Sequence, residues 1–176
     1  MYLIVDQLSA IRGGAEDKQP ANTLLSDVLT LVTKPDPCSA ASPCPTVFND
    51  MAQVTFHLSE KDITSIAGPT SNNQVTINRY RVTYRRTDGR NTPGVDVPYP
   101  IDAAFTVTVP PTGSAEAGFE LVRHTTKEES PLVQLVNNST IISTVAQVTF
   151  YGQDTVGNEI QATASIAIDF GNFGDR

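Results

Sequence analysis

The sequence predicts an all-β fold: an antiparallel β-sandwich with an N-terminal strand extension and one short helix. Three observations carry this expectation. Seven to nine short segments with strand character are separated by turn residues at roughly regular spacing. Several of them alternate apolar and polar residues, the mark of a half-buried strand. Charged residues make up only 18% of the chain, below the usual share, and Thr and Val fill much of the gap. Both carry a branched Cβ that suits a pleated surface. The 176 residues fit one domain with an arm and suffice for a core without metal or disulfide staples.

The chain opens with Tyr2-Leu3-Ile4-Val5, the start of a short apolar strand over residues 2–9. A polar, Gly-containing connector follows, from Arg12 through Gly13, Gly14, Glu16 and Asp17 to Pro20. Thr23 to Thr33 is rich in Leu and Val and reads as strand or helix. Met51 to Ser59 places Val54, Phe56 and Leu58 on one face and Thr55, His57 and Ser59 on the other. Gln74 to Arg86 is the longest strand candidate. Tyr80, Val82 and Tyr84 share a face there, while Val75 and Ile77 fall on the side of Arg79, Arg81 and Arg85. The apolar face therefore switches near Asn78, and a bulge would produce that switch, because one extra residue flips the phase. Thr87-Asp88-Gly89-Arg90 is a turn signal. Three prolines between Asn91 and Pro100 exclude a central strand.

Ala103 to Val109 alternates again, and Phe119 to His124 is a further strand. Ser130-Pro131 suggests a capped entry to one or two helical turns ending near Val136, since proline suits the first helical position. Lys127-Glu128-Glu129 reads as the helix entrance, its acids at the positive end of the dipole. Ile141 to Tyr151 and Glu159 to Phe170 form a closing hairpin around the turn-rich residues 152–158. Ala52-Gln53-Val54-Thr55-Phe56 recurs as Ala146-Gln147-Val148-Thr149-Phe150. Two central strands facing the same environment account for this; duplication is the alternative. The organisation expected is an arm with a Cys-bracketed loop over residues 1–50, then the sandwich over 51–176.

Cys38 and Cys44 bracket a Pro-containing loop. No further Cys or His lies nearby to complete a zinc site, and CxxC spacing is absent. A small disulfide pinning the loop is the leading reading and implies an oxidising compartment. Two unpaired loop cysteines in a reducing cytosol are the alternative. The net charge is -7, so the surface repels phosphate backbones and nucleic-acid binding is not expected. No apolar run reaches about 18 residues, so no membrane-spanning helix is expected.

Catalytic chemistry is poorly represented. His57 and His124 read as surface histidines, and no G-x-S-x-G motif occurs. Asp154, Asn158 and Glu159, or Asp88, Asp96 and Asp102, offer clustered oxygens of the kind calcium takes, but Asp and Asn are also ordinary turn formers. The expectation is no enzyme, no catalytic residue, no cofactor and no metal.

Asn78-Arg79-Tyr80-Arg81-Val82-Thr83-Tyr84 followed by Thr87-Asp88-Gly89 resembles the third strand of fibronectin type III-like domains. Val148 to Asn158 resembles the last hairpin of bacterial immunoglobulin-like modules, with its Gly157-Asn158 turn and the alternating strand over Gln161 to Ile168. These local resemblances imply an immunoglobulin-like sandwich, akin to uncharacterised secreted bacterial proteins, and a role in surface display, adhesion or extracellular assembly. The expected location is extracellular or on a bacterial cell surface, after removal of a leader not present in this sequence.

Candidate contacts follow from exposure. Tyr2, Leu3, Ile4 and Val5 form an apolar run that needs a sheet, either its own or, by donor-strand addition, that of the next copy. Head-to-tail addition does not close and generates a filament. The row Arg79, Arg81 and Arg85 can dock on an acidic patch. Phe170 and Phe173, read as lying at or beyond the last strand, want a partner surface. The functional expectation is a non-enzymatic structural subunit of an extracellular filament or surface assembly, its partners being other copies of itself. The alternative is a monomeric cell-surface module binding carbohydrate or protein, with Tyr99 the one exposed ring.

Overall fold

Pairing of the alternating segments produces two facing sheets. The computed structural model describes residues 1–15, 18–61, 68 and 70–173. Its strands are β1 (Tyr2–Ile11), β2 (Thr23–Asp27), β3 (Thr30–Val32), β4 (Cys44–Thr46), β5 (Asp50–Ser59), β6 (Val75–Arg85), β7 (Ile101–Val109), β8 (Ser114–Val122), β9 (Ile142–Asp154) and β10 (Glu159–Gly171). One sheet runs β1-β5-β8 and the other β2-β10-β9-β6-β7, with β3 and β4 forming a separate ribbon. The ladders are antiparallel except that β2 joins β10 in parallel. β5 and β8 thus share one sheet while β6, β9 and β10 share the other. This division into two facing sheets is that of an all-β sandwich.

Residues 1–50, which the sequence sets apart as arm and loop, contribute a strand to each main sheet. β1 pairs antiparallel with β5 from Tyr2↔Ser59 to Ile11↔Met51, so the apolar start of the chain completes its own sheet. The segment 23–33 divides into β2 and β3, and Ser26 and Asp27 at the end of β2 are buried polar residues. Glu16 and Asp17 of the expected connector and Gly174 of the C-terminal segment lie outside the described residues.

The switch of face in β6 is a bulge. Its register shifts between Ile77 and Arg79 in the ladders to both β7 and β9. Val75 and Ile77 before the shift, and Tyr80, Val82 and Tyr84 after it, all reach the core. Gly152 lies opposite Ile77, where a Cβ would stand 2.5 Å from the Thr76 carbonyl oxygen, so the bulge admits only glycine there.

The repeated pentapeptide occupies equivalent places in the two sheets. Ala52, Val54 and Phe56 of β5 and Ala146, Val148 and Phe150 of β9 are all buried. The rings of Phe56 and Phe150 meet edge to face, 4.9 Å apart, at the centre of the sandwich. Phe105, Phe119 and Tyr80 extend this aromatic cluster.

After β8 the chain makes one helical turn, α1 (His124–Lys127), and a 3₁₀ turn (Leu132–Asn137) that buries Leu132 and Leu135. Pro131 rather than Ser130 stands at the entry to the second turn, and no side chain caps it. Lys127 closes α1, so Glu128 and Glu129 follow a helix end instead of opening one, contrary to the dipole reading. No described helix is long and apolar enough to cross a membrane.

Candidate assembly surfaces and the cluster that anchors the first strand

Alternation along β1 sorts the four apolar residues at the start of the chain. Leu3 is buried and Val5 half-buried, both facing the core, whereas Tyr2 is 58% and Ile4 38% exposed. β1 is an edge strand among the described residues, where β5 is its one partner in the sheet apart from an isolated bridge between Ala10 and Ala21. A register shift between Val5 and Gln7 interrupts its middle. Lys61 places its ammonium 5.4 Å from the Tyr2 ring centroid.

The far end of β1 is held by a buried polar cluster. The Gly13 N–H donates to Asp50 Oδ1 at 2.8 Å. Asp50 Oδ2 accepts from Ser26 Oγ at 2.6 Å and pairs with Lys127 Nζ at 2.9 Å. Arg12 Nη2 lies 2.5 Å from Asp27 Oδ2, and the backbone N–H groups of Leu29 and Phe173 donate to Asp27 Oδ1. Asp50 and Lys127 are 0% and 1% exposed. Two carboxylates and two cations thus balance in a dry site, as buried charges require. Burial pushes the Lys127 amine below its ordinary range, and the Asp50 carboxylate pulls it partly back. Arg12 Nε has no hydrogen-bond partner among the described residues. Tyr84 packs near this cluster and donates to the Leu121 carbonyl at 2.7 Å. Burial, aided by the negative charge of Asp50, drives its hydroxyl pKa up. The cluster ties the exit of β1 to β2, β5, α1 and the C-terminal segment. Its burial suits it to holding these elements rather than meeting a substrate.

The arginine row lies on the outer face of β6. Asp102 on β7 sits 3.7 Å from both Arg79 Nε and Arg81 Nη1, at the long limit of an ion pair. Arg85 has no carboxylate partner among the described residues. The Arg79 guanidinium also covers the ring of Tyr151 on β9, 4.2 Å from its centroid. A shallow polar groove beside this pair is lined by Asn78, Arg79, Tyr151, Gln153, Glu159 and Gln161.

The terminal phenylalanines are not a free surface. β10 continues through Gly171, so Phe170 lies within the strand, fully buried, with its ring 5.8 Å from that of Tyr84. Phe173 is half-buried, folded back over Gly171, where its ring stands 3.1 Å from the position a Cβ would take. These two residues serve the chain's own core and C-terminal closure.

The remaining polar candidates have local partners. His57 Nδ1 is 2.6 Å from Asp6 Oδ1, and His124 Nδ1 is 3.0 Å from Asn49 Oδ1. Asp154 accepts from the Val156 and Asn158 N–H groups and the Asn158 amide, which hold its carboxyl below the usual range and shape the hairpin turn. Hydrogen bonds from Arg86 and Arg90 lower Asp88 to about 2. Asp96 accepts from the Thr92 N–H. No group of three or more His, Cys, Asp or Glu able to hold a metal ion occurs among the described residues. Cys38 and Cys44 form a disulfide beside the β3–β4 ribbon, with Cα atoms 5.4 Å apart.

Sequence reading passed over three features of these surfaces. Lys127 was read as part of a helix entrance, and Asp50 and Tyr151 lay unremarked in the sequence. None carries a local signal, because each depends on a neighbour brought from elsewhere in the fold. No family model matches this chain, and no curated protein or solved structure matches it either.

Proposed function

We propose that the protein is a non-enzymatic structural subunit of an extracellular assembly, whose copies join by strand pairing along the N-terminal strand β1. The observation that carries this reading is the state of that edge. Tyr2 to Val5, ahead of Asp6 and the register shift, is regular and free of charge and proline, and among the described residues it is paired on one side only. Native edge strands are usually blunted by charge, proline or shortness, because unpaired N–H and C=O groups template further pairing. The β7 edge carries Asp102 and runs into Pro110 and Pro111, and the β8 edge carries Glu116 and Glu120. Since β1 already fills its own sheet, a neighbouring copy adds to its outer side rather than receiving a loose arm. The disulfide is consistent with an oxidising, extracellular setting.

Ile4→Lys tests this. It places a charge on the outward face of the edge, where lysine opposes pairing. Light scattering is expected to show assemblies for the parent protein and 18.9 kDa particles for the variant. Assemblies undiminished by the substitution would rule the edge out.

A monomeric binding module for carbohydrate or protein is the second reading, favoured by the groove beside Tyr151. The Arg79 guanidinium already occupies that ring's face, which a stacked sugar needs. Tyr99 is exposed, but its ring is close against Gly94.

A further inference from the structure

Gly118 stands in the middle of β8, and nothing among the described residues calls for it. Its φ is not in the left-handed region. The β5–β8 ladder passes it without a bulge, pairing it with Gln53. A Cβ there would meet only the Ala52 carbonyl oxygen, at an ordinary 3.6 Å. Glycine within a strand weakens it, and where no bend or bulge accounts for it, close approach of another surface does. Phe119 and Leu121 point into the core, so Gly118 lies on the outer face together with Glu116 and Glu120.

That outer face is acidic. None of β1, β5 and β8 contains Lys or Arg, whereas Asp6, Glu116 and Glu120 lie outside the core. Glu116 has no cationic partner among the described residues, and Glu120 meets Arg123 at 3.2 Å. On the opposite side of the sandwich, Arg81 and Arg85 share the outer face of β6 with Thr83 between them. Arg81 and Arg85 are separated along a strand by the same interval as Glu116 and Glu120, roughly 13 Å at the rise of a β-strand. One row presents Arg85, with Arg81 held at 3.7 Å by Asp102, around a Thr; the other presents Glu116, with Glu120 held by Asn49 and Arg123, around bare backbone.

We propose that the outer face of β8, centred on Gly118, is a docking site for the Arg81–Arg85 row of a second copy of this chain. The proposal rests on the self-assembly reading above and adds a second contact to it. Each copy offers both faces, on opposite sides, so the contact is heterologous and does not close on itself. Complementary charge fixes its register and makes it sensitive to salt.

The test uses the full chain in sedimentation and light scattering at low and high salt. Gly118→Val supplies a β-branched residue that the strand accepts, so the monomer stays folded by circular dichroism, while self-association weakens about tenfold or more. Arg85→Glu does the same, and in the parent association falls as salt is raised. If the parent assembles and neither single substitution changes its affinity, this contact is wrong while the assembly reading stands. A parent that stays monomeric at every concentration overturns both.

Discussion

Replacing Lys127 with Met probes the cluster at the exit of β1. The ammonium sits 2.9 Å from Asp50 Oδ2, with both residues essentially inaccessible to water. Methionine fills similar volume, so the lost charge dominates over a cavity. Asp50 keeps its bonds from Gly13 and Ser26 but becomes an unpaired buried anion, which costs about 3–5 kcal/mol. For a chain of this size each kcal/mol lowers Tm by about 2–4 °C, so a fall of roughly 6–20 °C is expected. Urea unfolding followed by circular dichroism measures the free energy directly. Arg85→Met on the exposed face is the control and should change stability by about 0.5 kcal/mol or less. The double variant with Asp50→Asn should lose less than the sum of the two single changes, because the anion that Lys127 neutralises is then gone. A Lys127→Met protein within about 1 kcal/mol of the parent would refute the assignment of Asp50 and Lys127 as a dry, mutually dependent pair.

Two further outcomes follow from the core. Phe56→Ala opens a cavity at the contact with Phe150 and should cost about 3–5 kcal/mol in the same urea assay. Tyr84 and Tyr80 have hydroxyl pKa values raised chiefly by burial. In the unfolded chain these groups ionise near pH 10, while the folded chain keeps them protonated. Their contribution is therefore fully present below about pH 10 and is lost as pH rises beyond it. Ultraviolet titration of tyrosinate should show a late fraction that appears together with alkaline unfolding, and Tyr84→Phe should reduce it.

Local pattern carried much of the fold. The phase flip around Asn78 located the β6 bulge, because period-two alternation tolerates no other explanation than an extra residue. The twin pentapeptides were legible as two central strands, and the rings at their ends meet across the core. The closing hairpin of β9 and β10 was legible, but pairing between distant segments was not. The parallel ladder of β2 with β10 and the antiparallel ladder of β1 with β5 join segments far apart in the chain, and alternation says which face is buried but not which strand lies beside it. The arginine row was visible as a charge pattern, whereas Gly118 gained meaning only once its surroundings proved empty. Lys127 was misread for the same reason: its neighbours in sequence are acids, but its partner is Asp50 at the start of β5. Phe170 and Phe173 looked exposed because they stand at the end of the last strand, but Phe170 packs against Tyr84 and Phe173 folds back over Gly171, contacts that no local pattern announces.

Self-association of the unmodified chain is the property on which the functional reading stands. Static light scattering over a wide concentration range, at low salt, measures it without any substitution. Masses climbing through successive multiples of 18.9 kDa as concentration rises are the predicted result; a constant 18.9 kDa particle throughout would contradict it.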